Sequence, residues 1–349
     1  MIKKIKLVNF RNFGEKDLDF VEGKNFIIGE NGKGKTNILE CISILGNNSL
    51  LSIHYENLVK KNNDFFYVEY ENGSYEKISI SFDKEKNKKV FSLNGKTLTK
   101  TKFKQNTYKC VIFSPIIMNI MYLSPSLRRD FIDNILISSY PNYEKVLKQY
   151  KVIVQSRNKI LKNIFNGKSK KEELEFWDDL FTKKAVEVYN YRFIIIDFLS
   201  KNIKDSIKIF GNKVNTIKFE YKTKVNRENI ETYIKEYLNK NIERDIILKK
   251  TNIGPHIDDF DILIDNAPLT NFASRGETKS IILDLKILEI SFIENITKQK
   301  PILIIDDLLS ELDDYHRDNL LNKIKHYQTF ISLINNVGKN KLENKYHYL

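Results

Sequence analysis

The sequence predicts an α/β protein whose single core is split by a central helical insertion, and three observations carry that prediction. Residues 2–9, 15–20 and 25–28 have strand patterns, and they run into a glycine-rich turn and a helix-period segment from Thr36. From about 124 to 205 the apolar spacing is helical throughout. Beyond about 250 the strand–helix alternation returns.

In order, residues 2–9 and 15–20 read as paired strands, and Asn25-Phe26-Ile27-Ile28 as a short buried one. Ile38, Leu39, Ile42 and Leu45 recur at helical spacing behind the glycine turn. Two or three antiparallel strands fit between Phe65 and Leu93, with Asn94-Gly95 as a hairpin turn, and Cys110-Val111-Ile112-Phe113 is another buried strand. Tyr143, Val146, Leu147 and Tyr150 open a long helix, which Asn166-Gly167-Lys168-Ser169 breaks. A second helix runs from Glu172 towards Leu199, so the pair reads as an antiparallel arm. A mixed, lysine-rich stretch reaches about 250. A strand near 260–264, a helix from about 276 to 296, a strand at 302–305 and a final strand at 328–333 follow. The expected division is a split core of 1–123 and 251–349 around an inserted helical arm or lobe of 124–250, with no internal repeat.

Composition narrows the class. The 349 residues are 41% hydrophobic and 12% aromatic, enough for a sizeable core. Lys and Arg number 58 against 45 Asp and Glu, a net charge of +13, which favours polyanion partners, nucleic acid before anionic membrane. Lysine is spread along the chain, so an ordinary solvated surface is the competing explanation. The two cysteines, Cys41 and Cys110, lie in apolar stretches and read as buried thiols of a reducing, cytoplasmic compartment. The chain opens on an alternating strand instead of a charged-then-apolar leader, and no run approaches the roughly 20 apolar residues a bilayer requires. No His/Cys spacing suits zinc, and no Cys-His or Ser-His-Asp arrangement stands out.

The strongest motif is Gly29-Glu30-Asn31-Gly32-Lys33-Gly34-Lys35-Thr36, which fits G-x-x-x-x-G-K-[ST] between a strand and a helix. Glycines there let backbone N–H groups turn inward around phosphates, aided by the helix N-terminus. Lys35 would reach the β and γ phosphates and the Thr36 hydroxyl would ligate Mg²⁺, with Gly29, Glu30, Asn31, Gly32, Lys33, Gly34 and Asn37 completing the loop. Roughly 270 residues later, Pro301-Ile302-Leu303-Ile304-Ile305 ends in Asp306-Asp307. Asp306 would hold Mg²⁺ through its water shell, and Asp307, shorter than a Glu, would polarise the attacking water with adjusted geometry. Leu309-Ser310-Glu311-Leu312-Asp313 follows at once.

Upstream, Ser274-Arg275-Gly276-Glu277 precedes a long helix. A Ser and a Gly at a helix N-terminus make a second anion site, and an N-cap with a tight turn is the plain alternative. Because one phosphate loop already serves its own nucleotide, Ser274 and Gly276 suit the γ-phosphate of a second copy.

In this order, these residues resemble the ABC-type ATPase (P-loop NTPase) heads of SMC-like proteins and, within them, the RecF family. The resemblance spans nearly the whole chain. It opens at Leu7-Val8-Asn9-Phe10-Arg11-Asn12-Phe13 and continues through Lys35-Thr36-Asn37-Ile38-Leu39-Glu40. It passes Phe113-Ser114-Pro115, Ser124-Pro125-Ser126-Leu127-Arg128-Arg129-Asp130-Phe131-Ile132-Asp133, Gln155-Ser156-Arg157-Asn158 and Trp177-Asp178. It ends at Gly254-Pro255-His256-Ile257-Asp258-Asp259 and the 302–313 block.

The resemblance implies an ABC-ATPase head with an inserted helical arm, binding ATP and Mg²⁺ and dimerising on ATP. It implies duplex DNA binding near single-strand gaps or single/double-strand junctions, a RecR-type mediator partner, recombinase loading in recombinational and SOS-response repair, and slow ATP hydrolysis. Arg11 and Asn12 would border the adenosine. Two alternatives stay open: a nucleotide-gated DNA-binding module with negligible turnover, and an SMC-like defence ATPase working with a separate nuclease. Departures from the family pattern are Ile257 for an Arg, Ile116 and Ile117 for an acidic pair, Glu277 for a Gln, and Ser49-Leu50-Leu51-Ser52 where an Arg follows the first helix.

Four further side chains carry two readings each. Arg128 and Arg129 are exposed helix charges or contacts to phosphate or a subunit. His256 is a packed, hydrogen-bonded histidine or a nucleotide or DNA contact, and Trp177 is arm packing or a base-stacking platform.

Overall fold

The computed structural model of the chain describes residues 1–46, 54–334 and 345–349. The departure at 49–52 lies outside the described residues. The chain forms two compact units: Met1–Met118 with Glu289–Leu349, and Asn119–Leu288.

The first unit opens with β1 (Ile2–Phe10), β2 (Phe13–Asp19), β3 (Lys24–Ile28) and α1 (Lys35–Leu45). It continues with β4 (Phe65–Asn72), β5 (Lys77–Asp83), β6 (Lys88–Leu93), β7 (Lys96–Leu98), α2 (Lys100–Asn106), β8 (Cys110–Phe113) and α3 (Pro115–Met118). The strands from β1 to β7, without β3, form a six-stranded antiparallel sheet in the order β2-β1-β4-β5-β6-β7. In β1 the buried residues are Ile2, Ile5, Leu7 and Phe10. That spacing breaks strict alternation twice: between Ile2 and Ile5, where the register against β4 shifts as a bulge requires, and between Leu7 and Phe10, where Asn9 has left-handed φ (51°). The inner face packs Phe66, Ile78, Ile80 and Phe82 against Ile38, Leu39 and Ile42 of α1 in one core.

The second unit is α4 (Pro125–Ser139), α5 (Tyr143–Phe165), α6 (Glu173–Asn202), β9 (Ile217–Lys222), α7 (Ile230–Lys240), α8 (Ile242–Leu248), β10 (Asp259–Ile264), β11 (Ala267–Pro268) and α9 (Leu269–Phe272). The long α10 (Arg275–Thr297) begins in it and ends in the first unit. The helical insertion carries a sheet as well: β9 pairs antiparallel with β10, and β10 with β11. Sequence periodicity does not separate β9 from the surrounding lysine-rich segment, because the strand has only six residues and alternates for only part of them.

The first unit closes with β12 (Ile302–Ile305), α11 (Asp314–Lys323), β13 (Thr329–Leu333) and β14 (Lys345–Tyr348). The expectation that 328–333 is the last strand needs correction, since β14 adds to β3 in parallel. The second sheet of this unit is parallel, ordered β14-β3-β13-β12-β8. Every residue of β12 and β13 is buried, as expected for strands covered on both faces. Because β13 inserts between β3 and β12, its carboxyl end lies between the loop after β3 and the two carboxylates after β12.

Candidate functional site

The loop between β3 and α1 has the backbone its glycines permit: Gly32 and Gly34 have φ of 82° and 101°. At Gly34 a Cβ would also lie 2.7 Å from the Asn12 amide and from the Phe13 ring, so both conformation and space demand glycine there. Lys35 is buried and donates from Nζ to the carbonyls of Gly29 (2.8 Å) and Glu30 (3.0 Å), which curls the loop over its own ammonium. Asn12 donates to the Lys33 carbonyl (3.3 Å) and accepts from the Asn37 amide (2.8 Å), tying the β1–β2 turn to the loop.

Arg11 has left-handed φ (54°) and grips Glu40 with two charge-assisted bonds of 2.6 and 2.9 Å. A third bond, to the Asn57 carbonyl, is 2.8 Å. The hydrogen bond donated to Glu40 holds the Arg11 pKa above its ordinary value. Within this chain Arg11 is therefore a strut between the first turn and α1.

Opposite the loop, Thr36 Oγ1 donates to Asp306 Oδ1 at 3.3 Å across 270 residues of sequence. Sequence reasoning missed the residue that organises this end of the sheet, Ser332. Its hydroxyl donates to Asp306 Oδ1 (2.8 Å) and accepts the backbone N–H of Asp307 (2.8 Å), with Asp307 Oδ1 at 3.3 Å. Asp307 occupies left-handed φ (51°), an uncommon state for a non-glycine residue, and its captured N–H helps to hold it. The signal for Ser332 was present in sequence, as a lone hydroxyl in the apolar run Phe330-Ile331-Ser332-Leu333, but strand order is needed to place it.

Burial raises the Asp306 pKa above the usual carboxylate value; the Ser332 hydrogen bond lowers it and the charge of Asp307 raises it. A partly exposed oxygen set with two adjacent carboxylates and a threonine hydroxyl fits a hard cation such as Mg²⁺. Among the described residues no group of three or more His, Cys, Asp or Glu could hold a metal.

In the second unit, Ser274 and Glu277 form a reciprocal capping box at the start of α10. The Ser274 hydroxyl donates to Glu277 Oε2 (2.7 Å) and accepts from the Glu277 N–H (3.3 Å), and the Ser274 N–H donates to the same carboxylate (2.8 Å). The plain helix-cap reading of Ser274 is thus present, and Glu277 in place of Gln supplies its carboxylate. Gly276 is different. A Cβ there would meet nothing within 4 Å, and its φ is not left-handed, so neither packing nor backbone within the chain calls for glycine.

Most of the other candidates turn inward. Arg128 makes a two-bond pair with Asp259 (2.7 and 2.8 Å) and donates to the Leu123 carbonyl (2.7 Å), and Arg129 donates to the Asp258 carbonyl (3.1 Å). Both guanidiniums are used within the unit rather than held out as free helix charges. His256 accepts a hydrogen bond at Nδ1 from the Tyr150 hydroxyl (2.6 Å) and donates Nε2–H to the Thr251 carbonyl (3.0 Å), as a neutral tautomer does. Burial pushes its pKa down to about 4. Trp177 is partly buried, edge-on to Phe176 at 5.4 Å. Cys41 and Cys110 are buried thiols. No helix among the described residues is long and apolar enough to cross a membrane.

Comparison with known proteins agrees with this geometry. The model for the RecF/RecN/SMC N terminal domain matches residues 1–346. The chain is 33% identical over 339 residues to the DNA replication and repair protein RecF of Thermoanaerobacter sp. (strain X514), covering 95% of this chain and 93% of that one. It is 32% identical over 342 residues to the protein of the same name from Clostridioides difficile (strain 630), covering 95% and 91%. Among solved structures, that of the recombination mediator protein RecF-ATP in the RecFOR pathway superposes with a TM-score of 0.85 at 30% identity, over 97% of this chain and 93% of the other. An Smc head bound to the C-winged helix domain of ScpA superposes at 0.52 and 17% identity, over 96% and 89%, a likeness of fold. With its parallel sheet, its phosphate loop and its acidic strand end in the same chain order, this chain belongs to the RecF family.

Proposed function

We propose that this chain is an ATP-dependent DNA-binding protein of replication and recombinational repair. It binds ATP with Mg²⁺, pairs with a second copy, and holds duplex DNA beside single-strand gaps, where a RecR-type mediator joins it and recombinase is loaded. The observation that carries the reading is that Thr36 and Ser332 both bond Asp306, and Ser332 also holds Asp307, beside the Lys35 loop. The names of the relatives and the likeness to the RecF-ATP structure support it.

In this reading Lys35 leaves the Gly29 and Glu30 carbonyls for the β and γ phosphates, while the loop N–H groups bind phosphate oxygens. Thr36 and Asp306 hold Mg²⁺, which when bound neutralises charge on the phosphate oxygens. Asp307 orients the attacking water and accepts its proton, and Ser332 fixes Asp307 by its N–H. Asn12 and Arg11 border the nucleotide from the turn tied to the loop. Ser274 and Gly276 serve the γ-phosphate bound by the second copy: the open space at Gly276 suits close approach from outside the chain. Glu277 must then release the Ser274 hydroxyl, which gives a physical reason for slow turnover.

Phosphate release and light scattering, with ATP and gapped duplex, test this reading. Asp307→Asn should keep ATP-dependent pairing and slow hydrolysis by about 10²–10⁴-fold. Ser274→Arg should keep ATP binding and lose both pairing and hydrolysis. Pairing of Ser274→Arg as tight as wild type would reduce Ser274 to a helix cap. Wild-type turnover in Asp307→Asn would move the base elsewhere.

A further inference from the structure

Residues 145–171 contain eight lysines, one arginine and no carboxylate. Arg157 is buried in the unit and Lys171 pairs with Glu243, but Lys145, Lys148, Lys151, Lys159 and Lys162 are exposed on α5. At about 100° per residue these five fall within a sector of about 120°, on the side opposite buried Leu147, Tyr150, Val154 and Leu161. Gln155 and Val152, both exposed, share the sector. Among the described residues none of the five enters an ion pair. The neighbouring α6 is built otherwise: Glu173, Glu175, Asp178, Asp179, Glu187 and Asp197 alternate with Lys183, Lys184, Arg192 and Lys201. Like charges three and four residues apart oppose helix formation, so the α5 stripe costs this helix stability that α6 does not give up.

We infer that this face of α5 is a track for the phosphate backbone of duplex DNA. The inference rests on the DNA-binding reading above and names where binding occurs. From Lys145 to Lys162 the helix rises about 26 Å, a length over which duplex DNA presents about 15 phosphate charges. Five ammoniums along one helix face meet a polyanion along its length, and Gln155 adds a neutral donor for phosphate oxygen. Nothing on this face reads base edges, so the contact is independent of sequence.

The test is the salt dependence of binding to a fluorescent gapped duplex, with ATP and Mg²⁺ present. Two full-length variants each lose four positive charges. One combines Lys148→Gln, Lys151→Gln, Lys159→Gln and Lys162→Gln. The other combines Lys4→Gln, Lys6→Gln, Lys77→Gln and Lys86→Gln, whose lysines sit in ion pairs with Asp17, Glu15, Glu69 and Asp83. Glutamine preserves helix propensity, and nucleotide binding checks that both variants fold. The stripe variant should lose at least about tenfold in affinity, and its slope of log K against log salt should shrink by about 3 to 4. The paired-lysine variant should change that slope by less than about 1. Binding of the stripe variant that equals wild type, or an equal loss in both variants, overturns the track while leaving the DNA-binding reading intact. Failure of the wild-type chain itself to bind the duplex overturns both.

Discussion

Charge is handled in opposite ways at the candidate site of the first unit and in the arginine clusters of the second. In the second unit Arg192, only 2% exposed, donates to both oxygens of Asp133 (2.9 and 3.0 Å), to the Pro255 carbonyl (2.6 Å) and to the Tyr221 hydroxyl (3.1 Å). Arg157 likewise binds Asp178 (2.6 Å), Asp245 (2.8 Å) and Thr251 (2.9 Å). Each cation there is matched by carboxylates within the chain, although the Arg157 Nη2 is buried without a hydrogen-bond partner among the described residues. In the first unit Lys35 meets only carbonyls, while Asp306 and Asp307 stand side by side with hydroxyls as their partners. A cation held only by carbonyls and two adjacent carboxylates held by hydroxyls are what the proposed site for ATP with Mg²⁺ would use. Matched pairs define architecture.

The sharpest way to break this comparison is to delete one buried cation from each unit. Lys35→Ala should abolish measurable ATP binding in a fluorescent-nucleotide titration, yet shift unfolding by only about 1 kcal/mol, because two carbonyl hydrogen bonds are all it gives up. ATP affinity like that of wild type would show that the loop is only a helix start.

Arg192→Ala should do the reverse. It leaves Asp133 charged and buried, and orphans the Pro255 carbonyl, so stability should fall by about 3–5 kcal/mol in denaturant unfolding. Nucleotide affinity measured below the transition should stay near wild type. A loss under about 1 kcal/mol would mean that the pair is no structural keystone.

The contrast also explains what the sequence could reveal. The phosphate loop and the acidic strand end were legible because their chemistry is local: Gly32, Gly34 and Lys35 are adjacent, and so are Asp306 and Asp307. Helices α5 and α6 were legible from long apolar periods. Ser332 was not, because its role depends on β13 lying between β3 and β12, an order no local pattern states. The same limit hid β9 and β14, short strands recognisable only by their partners β10 and β3. For Arg128 and His256 two readings stayed open because motif reasoning cannot see Asp259 or Tyr150 across more than a hundred residues.

The subtlest comparison lies inside the second unit, where two neighbours in sequence oppose each other's pH response. His256 is neutral and held down to about 4 from 6.5, by burial first. Between those values the unfolded chain binds a proton there that the folded chain does not, so stability falls as pH falls through the window. Asp258, a buried acceptor of the Tyr221 hydroxyl (2.9 Å), is raised by burial from 3.8 to about 6. There the folded chain binds the extra proton, so stability falls as pH rises from about 4 to about 6. Each shift corresponds to about 3 kcal/mol at most, at about 1.4 kcal/mol per pH unit, so the two nearly cancel over their shared window. Asp258→Asn keeps an acceptor for Tyr221 and removes one of the two opposed responses. Denaturant unfolding of that variant should lose about 2–3 kcal/mol more than wild type between pH 6.5 and 4. It should be no less stable than wild type at pH 7, where the burial cost of the ionised Asp258 is gone. An acid response in the variant no steeper than in wild type would show that one of the two groups titrates near its ordinary value, and that this pair is not closed in the way the arginine clusters are.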